Sequence, residues 1–453
     1  MWTKDKQFYR SFFSVCIVLM LQNIIVISVN LADNIMLGGY SENALSGAAA
    51  VNQIQFVFQQ LLTAAGEGVV IIGSQYWGKR QPDAVKKIMA TALRTGLAFG
   101  GILFLLVSLF PFQVIGLFTE NQAIVREGVR YLQIIRFTYL FFAVTMIVEA
   151  ALRCAEMVKI SLWLSVMTFF VNCGINYVLI YGRFGAPELG IQGAAIGTLT
   201  ARILECVVVL LYAGKRTHGL YFRPAELFRE SRQLRRDYFA TVISMMVVQG
   251  LWGLNNALQT MILGHLSDSA IAAGSISSTL YLLLKSMSVG AASAAAIIVG
   301  QTVGSGKYEK VKEYAKTMQV LFLLIGIVSG TLLFFVRIPV LRLYDLSGET
   351  RQLANTFLML QCIVCVGMSY QMPVNNGIIR GGGSPQFGVK LDIISIWLIV
   401  LPVSFVMAFV VKASPVVVFC CLNADQVFKC LPSAIKVNKG HWIRKLTREE
   451  REI

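Results

Sequence analysis

This sequence predicts an all-α polytopic membrane protein with twelve transmembrane helices in two pseudo-symmetric six-helix bundles, and three observations carry the prediction. Uncharged apolar segments of membrane-spanning length recur along the chain. Basic residues gather at alternate connections between those segments. The second half of the chain repeats the first at a fixed shift of 226 residues.

The hydropathy comes first. Of 453 residues, 56% are hydrophobic and 14% charged, and the mean hydropathy is +0.66, against about 45–50% apolar and about 25% charged in soluble domains. A spanning helix needs about 20 apolar residues. Twelve segments qualify: roughly 12–37, 45–77, 88–110, 131–152, 160–181, 190–213, 238–263, 270–303, 317–336, 353–379, 388–411 and 414–435. Continuous apolar runs of this kind exclude a β-barrel, whose strands would alternate over short segments. The first run is too long for a signal-peptide core and lacks a small-x-small site after it, so it stays as the first helix. The nine cysteines all fall inside or at the ends of apolar segments and read as small packing residues. Cys362 and Cys365 have CxxC spacing, but a lone pair inside a span is a weak signal for redox or metal chemistry.

The charge pattern comes second. A net charge of +16 suggests a nucleic-acid partner until its distribution is followed. Lys4, Lys6 and Arg10 precede the first span, and further clusters lie at Lys79–Lys87, Arg153–Lys159, Lys215–Arg236, Lys307–Lys316, Arg380–Lys390 and Lys436–Arg451. The intervening loops, such as "YSENAL" and "HLSDSA", are poorer in cations, although Arg126, Arg130, Arg342 and Arg351 weaken the contrast. The positive-inside bias then puts both termini in the cytoplasm, in agreement with an even number of spans. The charge is a topology signal, and no nucleic-acid partner is expected.

The repeat comes third. "IMLGGYSENALSG" at Ile35 resembles "MILGHLSDSAIAA" at Met261, and the same shift lays Gln75 and Gly78 on Gln301 and Gly304, keeping Gln-x-x-Gly in register. The chain is therefore two six-helix halves, near 1–220 and 221–453, joined by a basic connector. Six helices per half give both halves the same orientation in the membrane, the parallel-repeat arrangement of several transporter folds.

Asp33, in "VNLADNIMLGG", is a carboxylate where hydrocarbon should hold none. An acid at a helix centre costs about 2.5–3.5 kcal/mol on insertion scales, so such acids normally face protein or a watery cavity. Asn23, Asn30, Asn34 and Asp33 fall within about 100° of the helix wheel, a polar stripe suited to the bundle interior. A partly desolvated carboxylate there can take up and release a proton during transport. Glu149 with Arg153, Glu205 with Arg202 and Asp425 with Lys429 have spacings at which helical side chains meet, and read as local ion pairs. Glu67 has no such local partner and ranks after Asp33, as a relay or as one half of an inter-helix pair. Lys285 is the central lysine without a nearby acid in sequence. Adding 226 maps Asp33 to Gln259, Glu67 to Ser293 and Glu149 to Asn375, which concentrates coupling in the N-terminal half.

Asp33 in "ADNIMLGG", the paired Gln-x-x-Gly stretches, the arginines of "EAALRCAE" and "NGIIRGGGSPQ", and "WLIVLP" together resemble the MATE family, the multidrug and toxic compound extrusion transporters. The resemblance covers nearly the whole chain. It implies two six-helix bundles enclosing a V-shaped cavity, and export of organic cations or other drugs against entry of H+ or Na+, without a cofactor. It also implies that Asp33 works with polar residues of spans 5 and 6. Asn172, Asn176 and Thr198 are the candidates there, with Asn30 and Glu67 beside them. Related sequences often carry Asn and Asp where this one has two asparagines, and the missing acid favours H+ over Na+.

For the substrate, Tyr139, Trp252, Tyr281 and Met368 are candidate apolar or cation-π contacts, as are Phe137, Phe141, Phe142, Tyr370 and Met372. Glu149, Asn255, Asn256, Asn375 and Asn376 are candidate polar contacts. Most aromatics at helical spacing are simply core or lipid-facing. The expected partners are small, cationic, amphipathic molecules and the lipid bilayer, for a monomer in the plasma (inner) membrane. An alternative within transport is a flippase for lipid or polysaccharide precursors, which should line its cavity with basic residues. A membrane enzyme would need a metal or nucleophile constellation, whereas His218, His265 and His441 lie singly in separate connections or the tail, so no enzyme activity or metal site is expected.

Overall fold

The computed structural model describes residues 2–119, 121–215, 231–342 and 347–448. His218 and most of the basic connector lie outside the described residues. The apolar segments form the helices α1 (Lys6–Tyr40), α2 (Glu42–Gly78), α3 (Pro82–Leu109), α4 (Gln122–Ile135), α5 (Thr138–Cys154), α6 (Lys159–Ile180) and α7 (Ile191–Ala213). The second half follows with α8 (Arg232–Gly264), α9 (Asp268–Gly304), α10 (Tyr308–Leu341), α11 (Gly348–Pro373), α12 (Pro385–Asp392) and α13 (Pro415–Asn423). Eleven helical stretches among the described residues are long and apolar enough to cross a membrane, and α4 with α5 makes a twelfth if the bent pair is one span. Ile102, Leu105 and Leu109 on one side of α3 are exposed. Such a stripe is unfavourable in water and suited to lipid.

The predicted span 131–152 is not one straight helix. It breaks between α4 and α5 with a 53° bend. There the ladder tightens, with Phe137 N–H donating to Ile134 O, and the Thr138 hydroxyl donates to the Ile135 carbonyl at 2.6 Å, while the Arg136 guanidinium lies over the Phe104 and Phe137 rings at 5.6 and 5.2 Å. In the second half the helical ladder instead widens into π turns at Val374–Ile379, Ile393–Val400 and Val406–Val410. Pro373 and Pro402 lie beside or between them, and a residue without an N–H forces the ladder to re-register.

The chain divides into two compact units. Unit one is Met1–Met20, Ser74–Arg80 and Ile243–Thr447; unit two is Leu21–Gly73, Gln81–Val242 and Arg448–Ile453. In unit one the core gathers Ile262, Leu333, Phe357, Leu358, Cys365 and Phe419, with Phe357 and Phe419 stacked at 4.0 Å. The first turns of α1 join it: Thr3 N–H donates to Thr317 Oγ1 at 3.0 Å, and Phe8 stacks on Tyr314 at 4.6 Å. The two Gln-x-x-Gly stretches also meet inside unit one. A Cβ on Gly78 would strike the Gln301 carbonyl, and one on Gly304 would strike the Gln75 carbonyl, so each glycine lets the other helix approach to backbone contact. The Gln75 side chain holds the tail there, accepting from Leu446 N–H at 2.8 Å and donating to Arg444 O at 3.3 Å.

In unit two the core gathers Leu37, Val51, Leu62, Tyr139, Ala143, Ile180 and Ala194. All nine cysteines are free. At the "RGGG" stretch of unit one the glycine with positive φ is Gly383, at +95°; Gly382 is needed because a side chain there would run into the Trp442 ring.

Candidate functional site

Unit two brings four of the sequence candidates into one hydrogen-bonded chain. Asn176 Nδ2 donates to Asp33 Oδ1 at 2.6 Å and to Asn172 Oδ1 at 3.3 Å, and Asn172 Nδ2 donates to Thr198 Oγ1 at 3.2 Å. The i, i+4 spacing of Asn172 and Asn176 puts both amides on one face of α6. Asp33 approaches from the last turns of α1, and Thr198 from the first turns of α7. Both asparagines are fully buried, Asp33 is half-buried and Asn30 is exposed. Thr200 takes no part, because it bonds to its own helix at Ile196 O.

Arg202, which the sequence reading had only as a partner for Glu205, also acts electrostatically on Asp33. It lies four residues after Thr198 on the same face of α7, and that spacing was the available signal. Its guanidinium bonds Glu205 Oε2 at 2.7 Å and lies 4.7 Å from the centre of the Phe142 ring. Glu67 pairs across helices with Arg153 at 3.6 Å. The pair expected between Arg153 and Glu149 is therefore replaced, since Arg153 reaches α2 rather than turning back along α5. Glu149 is 7% exposed and accepts from Gln22 Nε2 at 3.3 Å. Tyr139 is packed in the core with its ring edge on Phe58 at 5.4 Å.

Unit one holds the other candidates, in a separate network. Lys429, 2% exposed, bonds Asp392 at 2.7 Å and Asp425 at 2.9 Å. From Asp425 the chain continues through Gln426 at 2.8 Å, Gln371 at 2.9 Å and Asn375 at 3.2 Å to Ser433 at 2.8 Å. Asp392 was missed from sequence, although it lies near the start of the predicted span 388–411 and was readable as an acid inside it. Lys285 lies 4.8 Å from the centre of the Trp252 ring, within the field of Asp425 and Asp392. Asn255 is buried and accepts from Gln259 Nε2 at 3.4 Å, while Asn256 is exposed. Met368 is buried, and Tyr281 is half-buried against the core.

Chemically, unit two presents a carboxylate whose hydrogen-bond partner is a neutral amide. Unit one presents two carboxylates locked on one ammonium.

The profile of the MatE family matches residues 19–178 and 243–406 of this chain. The probable multidrug resistance protein NorM of Thermotoga maritima is 24% identical over 436 residues, covering 94% of this chain and 92% of its own. The probable multidrug resistance protein YoeA of Bacillus subtilis is 23% identical over 382 residues, covering 82% and 80%. Among solved structures, a mutant of the Vibrio cholerae MATE transporter VcmN gives a TM-score of 0.88 at 14% identity, over 97% of this chain and 98% of that one. An outward-facing multidrug resistance MATE family transporter of the MOP superfamily gives 0.85 at 15%, over 96% and 98%. At these identities the structural likeness concerns the fold.

Proposed function

The chain belongs to the MatE family, a multi-pass membrane transporter and not an enzyme, and from that premise we propose that it exports organic cations by alternating access, driven by proton entry. The two halves near 1–220 and 221–453 are the moving bundles, and Asp33 is the coupling acid. The observation that carries this reading is the 2.6 Å bond from the Asn176 amide to Asp33. A hard cation such as Na+ asks for several oxygen ligands. Here the nearest amide offers Asp33 an N–H2 group, which suits a site whose occupant is a proton. A proton on Asp33 drives the change of access only if the two conformations hold it with different affinity, and each pK unit of difference supplies about 1.4 kcal/mol.

The substrate reading rests on composition. Trp252 and Tyr281, with the exposed Asn256, supply flat, polarisable surface and a polar contact in the second half, which suits amphipathic cations, while Met368, Asn255 and Asn375 are buried. The protein works as a monomer in the plasma (inner) membrane with both termini cytoplasmic, following the clusters of basic residues at alternate connections.

The test is efflux of a fluorescent cation from proteoliposomes, driven in turn by a pH gradient and by a Na+ gradient at equal membrane potential. The pH gradient is expected to drive export and the Na+ gradient to fail. Equal export under Na+ alone would overturn proton coupling.

A further inference from the structure

Unit two holds a second buried acid that the Asp33 chain does not use. Glu149 on α5 bonds Gln22, which precedes Asp33 by eleven residues on α1, roughly 16 Å along the helix axis. The two acids are therefore separate sites. Glu149 is sealed: one carboxyl oxygen, Oε2, accepts from Gln22, while Oε1 is buried with no hydrogen-bond partner among the described residues. Ser161 of α6, 1% exposed, sets its hydroxyl close enough to that carboxyl to act on it, although the two do not close a full hydrogen bond.

The surrounding charges leave Glu149 without a counter-ion of its own. The groups that act on it are Glu205 on α7, of the same sign, and Arg153, four residues on along α5. Glu205 is held by Arg202 at 2.7 Å, and Arg153 is drawn across to Glu67 on α2 at 3.6 Å. The Arg153 Nε is buried without a partner, a spare donor on the cation nearest to Glu149 in sequence. A sealed carboxylate with an orphan oxygen and no committed cation is a costly arrangement, of several kcal/mol per ion. A neutral carboxyl in the same place can donate from Oε1 to Ser161 and keep the Gln22 bond on Oε2, and it removes the buried charge. The enclosure also decides the ligand, since nothing larger than a proton reaches that oxygen.

We propose that Glu149 is a second proton-binding site and that Arg153 is its switch. With the proton on Glu149, Arg153 pairs with Glu67 and ties α5 to α2. When the proton leaves to water, Glu149 becomes a carboxylate and Arg153 turns back to it across one helical turn, breaking its pair with Glu67. Beside this pair the helices pack through small residues, Gly66 on Ala150 and Gly73 on Cys154, whose thiol also reaches Val69 O at 3.5 Å. The inference uses the exporter reading for its purpose, while proton binding at Glu149 stands without it.

The experiment is infrared difference spectroscopy on the full chain in lipid nanodiscs, with the side-chain carboxyls of glutamate, and not of aspartate, carrying carbon-13. A protonated-glutamate C=O band is expected at neutral pH, moved by the label. It should be lost in Glu149→Gln, which copies the neutral acid, and retained in Asp33→Asn. Ser161→Ala should shift the band to higher frequency by removing its acceptor. Absence of the band in the wild-type protein, or its persistence in Glu149→Gln, overturns the site. If Glu149→Gln fails to fold, Glu67→Gln decides: it frees Arg153 for Glu149 and should diminish the band at the same pH, and an unchanged band overturns the switch. Loss of coupled export in Asp33→Asn with the glutamate band intact would leave the two proposals independently judged.

Discussion

Asp33 and Gln259 occupy matching positions of the two repeats, 226 residues apart, and their surroundings differ in more than the missing charge. Around Asp33 the hydrogen bonds run through two asparagines to a threonine, and no cation is bonded into that chain. Gln259 donates to Asn255, four residues back on its own helix, at 3.4 Å. The charge of the second half has moved elsewhere, to Asp392 and Asp425, where Lys429 neutralises it. The comparison teaches that buried polarity alone does not make a coupling site. An acid among neutral donors can exchange its proton without breaking an ion pair, whereas an acid on a buried ammonium must first lose several kcal/mol of pairing. The acids of the two halves thus differ in their partners: Asp33 is bonded to a neutral amide, while Asp392 and Asp425 are bonded to an ammonium.

The largest effect is expected where the comparison is most direct. Asp33→Asn preserves shape and removes the titration, so gradient-driven export should be abolished while a fluorescent cation still binds. Gln259→Ala should leave coupling largely intact, because that side chain cannot titrate. Efflux measured at equal expression decides, and normal pumping by Asp33→Asn, or equal loss in both variants, would break the asymmetry. The next effect is on stability rather than coupling. Lys429→Met strands the buried Asp425 carboxylate and leaves the partly exposed Asp392 without its ammonium, and should lower stability by about 3–5 kcal/mol, read as a fall in unfolding temperature in detergent. Adding Asp392→Asn and Asp425→Asn to Lys429→Met should recover most of it. Failure to recover would mean that the lysine packs rather than pairs.

The smallest effect concerns the start of α1, whose first turns belong to unit one although Asp33 further along belongs to unit two. Asp5 accepts from the Tyr314 hydroxyl at 2.6 Å and from Lys310 at 3.4 Å, and the Tyr314 bond above all holds its carboxyl below the ordinary 3.8. A depressed carboxylate stabilises the fold above its unfolded value and loses that contribution as pH falls through the lower, folded one. Hydrogen-exchange protection of the first turns of α1 should therefore be flat from pH 8 to about 5 and fall only below about 4. Asp5→Asn should remove this pH dependence, and a step near neutrality would point to another group.

How far the sequence could be read follows from the same physics. Span positions were legible because hydrocarbon tolerates few charges, so composition alone marks them. The bend at Arg136 was not, because a 17-residue α5 passes for a full span once the apolar end of α4 is counted with it. Glu205 with Arg202 was legible because both lie on one helix. Arg153 was assigned to Glu149 by the same rule and went to Glu67 instead, since spacing along a helix says nothing about a competitor on the next one. Asp392 with Lys429 was illegible for that reason too. The π turns leave no mark in hydropathy, and the "RGGG" glycines showed that backbone freedom was wanted without showing that Gly382 serves close packing and Gly383 the turn.

The reciprocal contact of Gly78 on Gln301 and Gly304 on Gln75 has an evolutionary reading. When residue i of one copy touches residue j of the other and j touches i, the contact is isologous, the kind a two-fold homodimer makes. The two Gln-x-x-Gly stretches thus meet as equivalent residues of a two-fold pair would. In such a pair any change at the glycine would strike the seam twice, and a beneficial asymmetry could not arise. Within a single chain each side of that contact mutates alone, so the two stretches need not stay alike.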